Sequence, residues 1–172
     1  MAITDWQVRD MPNHALFVRH ACVDSVQNFF KDAEIDGYHF DYDVGRTEII
    51  IADELAVQQP PYSQKPRIIF HFGGLQPMYG HIGHLVSWDP LTSSQRTLTW
   101  LMGQSHFTCE SSNGMEAAGL GSLLFSMMVA NYHQFLKRGF QWFRPTGISG
   151  ERVVDADATI RRTQVDVLVQ HS

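Results

Sequence analysis

A chain of 172 residues with 44% hydrophobic and 18% charged side chains can build one continuous core without disulfide or metal, and its composition is globular rather than disordered. A formal charge of −5 with a pI near 5.9 leaves no basic stripe for a phosphate backbone and argues against specific DNA or RNA binding. Cys22 and Cys109 read as small buried hydrophobes in a reducing compartment, and no apolar run approaches the roughly 18 residues of a membrane span.

In chain order, a first helix is expected from Pro12 to Lys31, with Leu16, Val23, Val26 and Phe30 returning to one face. Tyr38 to Asp43 and Thr47 to Ala52 read as a hairpin around Val44-Gly45, the second strand being rich in β-branched residues. Leu55 to Pro66 holds Pro60, Pro61 and Pro66 and should be an extended connection. Arg67 to Phe72 forms a short strand stopped by Gly73-Gly74. The segment from Gly73 to Ser94, rich in glycine, histidine and aromatics, should project as a long loop or loose hairpin.

An extended run from Arg96 to Cys109 then leads into one long amphipathic helix from Asn113 to Arg138. Asn113 and Glu116 form its capping box and Gly139 its left-handed stop. Leu120, Leu123, Leu124, Met127 and Phe135 fall on the stripe that should lie on a sheet. A short strand from Phe140 to Pro145 and a loop from Thr146 to Asp157 precede a last strand, Thr159 to Gln170, in which Val165, Val167 and Val169 alternate with outward positions. The expected fold is one α+β domain over residues 1–172: a mostly antiparallel twisted sheet against a long central helix and an N-terminal helix, with a long projecting loop.

Charge is uneven. Asp24, Asp32, Glu34, Asp36, Asp41, Asp43, Glu48, Asp53 and Glu54 stand against Lys31 and Arg46, a net of −7 that leaves +2 for the rest of the chain. The plainest reading is a solvated acidic face, and the functional one a surface that repels nucleic acid or meets a basic partner.

No catalytic or metal-binding residue is assigned, and no cofactor. His71, His81, His84 and His106 could in principle hold zinc, but no carboxylate or cysteine lies between Gly73 and Trp88 to complete the shell. Cys109 sits just before a helix N-terminus, where a thiolate is favoured. His106, three residues upstream on a strand, should face the other way. Gly119-Leu120-Gly121 lies inside the helix and reads as close packing, not as a phosphate cradle. The apolar and aromatic side chains Phe72, Leu75, Met78, Tyr79, Ile82, Leu85 and Trp88, with His81 and His84 among them, are the expected interface residues.

The run Cys109-Glu110-Ser111-Ser112-Asn113-Gly114-Met115-Glu116-Ala117-Ala118, the apolar helix after it and the closing Gln164-Val165-Asp166-Val167-Leu168-Val169 strand resemble the tail terminator proteins of tailed bacteriophages, which share their plan with neck and tail-completion proteins. The resemblance covers about Leu98 to Val169 and the first helix. It implies a virion structural protein without enzymatic activity, made in the host cytoplasm. Its subunits would form a homo-oligomeric ring, usually hexameric, that ends the tail tube, joins it to neck and connector proteins, and lets DNA pass without specific binding. A small metal-dependent hydrolase using the loop histidines is the rival from another class.

Overall fold

The computed structural model describes residues 13–33, 35–56, 65–77, 86–89, 94–97, 101–150, 152–153 and 160–171. Its elements run α1 (His14–Asp32), β1 (Ile50–Asp53), β2 (Arg67–His71), β3 (Gln76–Pro77), β4 (Val86–Asp89), β5 (Ser94–Thr97), β6 (Leu101–Ser111), α2 (Gly114–Ala130), α3 (Tyr132–Lys137), β7 (Trp142–Ile148), β8 (Arg152–Val153) and β9 (Arg161–His171). Together they make an α+β fold with a mixed, mostly antiparallel sheet. The main sheet has the order β1-β2-β6-β9-β7, with β3 on β6 and β8 on β9, while β4 and β5 form a separate antiparallel pair.

The sheet is organised by β6 and β9, which pair antiparallel from Leu101↔His171 to Ser111↔Arg161. Because strand side chains alternate, one face collects Phe107, Cys109, Val165, Val167 and Val169, all buried. All the described helices lie on this face. α2 packs on β6, β7 and β9, α1 on β1 and β2, and α3 on β7 and α1. Their buried side chains, Val18, Cys22, Val26, Phe30, Leu120, Leu124, Met128 and Phe135, belong to one core with those of the strands. Phe135 stacks on Phe143 at 3.8 Å between ring centroids, and Phe140 is tilted against both, fastening α3 to β7.

Asn13 caps α1 by accepting from the Leu16 amide at 2.9 Å. The buried stripe of α1 runs Val18, Cys22, Val26, Phe30 at steps of four. Leu16, expected on that face, is 48% exposed. On α2 the expected stripe holds, with Leu120, Leu124 and Met127 buried and Leu123 partly so. Gly121 lets the helix approach β9 closely, since a Cβ there would stand 2.7 Å from the Thr163 methyl.

Four expectations are corrected. Residues 38–43 and 47–52 do not form a hairpin. Asp41 and Asp43 accept from the Asp43 and Gly45 amides, both at 2.9 Å, and close local turns that compete with strand pairing. Ile50–Asp53 instead pairs parallel with β2. The long helix is two, broken at Asn131, whose side-chain amide donates to the Met127 carbonyl at 3.1 Å and draws the chain out of helical geometry. Gly139, at φ +105°, then ends α3 as expected. Asn113 does cap α2, but Glu116 bonds the Ser111 hydroxyl rather than the Asn113 amide, so the reciprocal box is not made. Finally, the single run from Arg96 to Cys109 is two strands, β5 and β6, in different sheets.

Both long edges of the main sheet are blunted. Gln27 Nε2 donates to the Ile51 carbonyl of β1 at 2.8 Å, and β7 carries Pro145 beside a register shift to Gly147.

Candidate functional site

No described helix covers the second face of the main sheet. Strand registers place its side chains in rows across β2, β6 and β9: Arg67, Glu110 and Arg162; Ile69, Thr108 and Gln164; His71, His106 and Asp166. Beyond them Gln104, Leu168 and Arg144 share a row, as do Met102, Gln170 and Trp142. The face is therefore charged at one end and almost free of charge at the other.

Glu110 is only 1% exposed and is held between two guanidinium groups, Arg67 Nε on one oxygen and Arg162 Nε at 2.6 Å on the other. A buried carboxylate without such partners would be strongly destabilising, so the row is an integral ion triad.

The histidine row extends round the edge of the sheet to α1. Arg19 binds Asp53 through both carboxylate oxygens, at 2.7 and 2.8 Å, and Glu54 at 2.8 Å. Glu54 meets His71 Nδ1 at 2.9 Å, and His71 Nε2 meets Thr108 Oγ1 at 2.9 Å. The His71 ring stacks on His106, 4.7 Å between centroids and 13° from parallel. Arg19 also lies over the Phe72 ring at 5.0 Å. Burial alone would raise the Glu54 carboxyl, but hydrogen bonds from Arg19 and His71 outweigh it and hold the group below its ordinary value. His106 is lowered, first by burial and then by repulsion from His71, against the pull of Asp166 and Glu54.

These shifts fix a pH dependence. The folded protein binds a proton at His106 less readily than the unfolded chain, so this contribution is complete above the ordinary 6.5 and is lost as pH falls through the lowered folded value. That of Glu54 is complete above 4.5 and is lost at still lower pH. Stability should therefore begin to fall below pH 6.5, by at most the one-proton slope of about 1.4 kcal/mol per pH unit. His106→Gln should remove the first part of that fall. Urea midpoints for both proteins at pH 7.0 and 5.5 check this, and an unchanged difference between the two pH values would contradict it.

Both ring nitrogens of His71 are committed to Glu54 and Thr108. Among the described residues, no group of three or more His, Cys, Asp or Glu side chains is placed to hold a metal ion. Cys109 is fully buried, and burial together with neighbouring Glu110 pushes its thiol far up, the wrong direction for a nucleophile. Its side chain lies on the helix side of β6, opposite His106. No described helix is long and apolar enough to cross a membrane.

Of the expected interface residues, Phe72 and Leu75 are partly buried against the chain's own core. Trp88 lies in β4, opposite Gln95 of β5. Met78, Tyr79, His81, Ile82, His84 and Leu85 lie outside the described residues. The Arg19–Asp53–Glu54–His71 chain is not anticipated by sequence reading, because its bonded pairs are 17 to 35 positions apart and meet only once β1 lies parallel to β2. The ion triad had a fainter signal: Arg67, Glu110 and Arg162 each stand one step out of phase with the apolar positions of their strands.

No protein-family profile matches the sequence, and no curated protein matches it.

Proposed function

We propose that this chain is a structural subunit of a tailed-bacteriophage virion, a tail terminator that closes into a ring, hexameric by resemblance, where the tail tube meets the head. The observation that carries this reading is the unit from Leu101 to His171. A long strand runs into an Asn-capped apolar helix, and a closing strand pairs with it along its whole length, in the order that the resemblance calls for. The layering supports it as well. With its described helices on one side of the sheet, the subunit leaves Gln76, Gln104 and Trp142 exposed at the far end of the second face, where a neighbour can meet them.

In this reading the partners are other copies of the chain, the tail-tube protein and the neck or connector proteins, and DNA passes through the lumen without specific contact. Phe72 and Leu75, packed against the core, would be the base of a contact with the adjoining ring in this reading.

The test is a solution mass measurement with negative-stain imaging, on the protein alone and mixed with preformed tail tubes. Hexameric rings, free or seated on one end of the tubes, are expected. A monomer that leaves tube ends bare in the mixture would overturn the proposal. The hydrolase reading makes a separate demand: one metal ion per chain after tag-free purification, lost in His81→Ala or His84→Ala.

A further inference from the structure

The outer side of α2 does not match its exposure. A surface helix ordinarily turns charge to solvent, whereas a helix apolar all round is a buried one. Among the seventeen residues of α2 the only ionisable side chain is Glu116, which is tied to Ser111 and, at 3.5 Å, to the Tyr38 hydroxyl. The positions turned away from the sheet are Met115, Gly119, Ser122, Ser126 and Val129, all exposed, Met115 by 86% and Val129 by 52%. Tyr132, 51% exposed, continues the surface into α3. Ile148, 41% exposed, flanks it beside Gly121.

The molecule carries a matching surface on its far side. At the uncharged end of the second sheet face stand Gln76, Met102, Gln104, Leu168, Gln170 and Trp142, of which Met102, Leu168 and Gln170 are half-buried, with Arg144 alone at the rim on edge strand β7. Gln76, Gln104 and Trp142 are exposed. The two surfaces are alike in size. A seventeen-residue helix is roughly 25 Å long and offers a face about 10 Å wide. Two rows, one across four strands and one across three, cover roughly the same area.

We propose that the outer face of α2 docks on the uncharged end of the sheet face of a second copy of this chain, head to tail. The inference rests on the ring reading and names the contact that builds the ring. Apart from Arg144 at the rim, neither surface must strip water from an ion, and the helix of one copy lies over the uncharged end of the sheet of the next. One such contact buries roughly 500 Å² in total, below the about 1,000 Å² that a stable pair needs, so it does not hold a dimer. A subunit that uses both surfaces makes two contacts, and closure then favours a ring over open intermediates.

Thiol cross-linking tests the geometry cleanly, because Cys22 and Cys109 are buried and only introduced cysteines will react. With a short bis-maleimide, the double variant Ser122→Cys/Gln104→Cys should give a ladder of covalent multimers, and neither single variant should. Dimers from Ser122→Cys alone would mean a two-fold helix-to-helix contact and overturn the proposal. Rings seen by imaging without the ladder would overturn it while sparing the ring reading, and a monomer without any ladder would remove both. Ser122→Asp should weaken assembly by about tenfold or more, as an interfacial charge without a partner requires, and leave the melting temperature unchanged. A fall in melting temperature with assembly intact would assign the face to the subunit's own fold.

Discussion

Leu124→Asp should yield no soluble folded protein and no cooperative thermal transition. Leu124 is fully buried between Leu120 and Met128 on the stripe that packs against β6, β7 and β9. The substitution removes the roughly 1.5–3 kcal/mol gained by burying a leucine side chain and puts an unpaired carboxylate in its place, at several kcal/mol more. A domain of this size is stable by about 5–15 kcal/mol in total, so the sum is comparable to the whole. Leu124→Met, close to the same volume, should cost under about 1.5 kcal/mol and serves as the control. Circular-dichroism melts and soluble yield decide the matter. A melt like that of the wild type for the aspartate variant would show that this face of α2 is not the buried one.

Glu110→Ala is the second large effect, and it works through the partners left behind. Arg67 and Arg162 keep 22% and 38% side-chain exposure, so both can partly rehydrate when the carboxylate goes. The expected loss is therefore about 2–3 kcal/mol, below the 3–5 kcal/mol typical when a fully buried pair is broken. Replacing the whole row, as Arg67→Met/Glu110→Leu/Arg162→Met, should recover most of that loss, since apolar side chains of similar volume carry no desolvation penalty. Urea unfolding of the two variants beside the wild type tests both parts. If the triple variant were less stable than Glu110→Ala, the triad would be a net source of stability rather than a satisfied necessity.

Local signals were readable where one residue type does one job. Asn113 announces the start of α2, Gly139 the end of α3, and Val165, Val167 and Val169 the inward face of β9. Two of the differences arise where side chains bond their own backbone. Asp41, Asp43 and Asn131 each do so, and a propensity scale has no means of seeing it. The pairing of β1 is hidden for a further reason. Its isoleucines fit a hairpin as well as a parallel strand, and only tertiary contact chooses between them. The polar constellation around His71 is out of reach because it is assembled by long-range pairing, while the triad shows in the sequence only as charges out of phase with the inward apolar positions of their strands.

The position of β9 has a consequence for how the protein is made. It lies between β6 and β7 in the sheet, yet follows both in the chain, and its partners on β6 lie fifty to seventy residues upstream. At a synthesis rate of about 5–20 residues per second, β6 and α2 leave the ribosome seconds before the strand that covers them. Until then the valine wall beneath α2 is missing and the free edge of β6 is open to wrong partners. During that interval the nascent chain exposes apolar surface of the kind chaperones bind, and the sheet is complete only once β9 has been threaded into its middle.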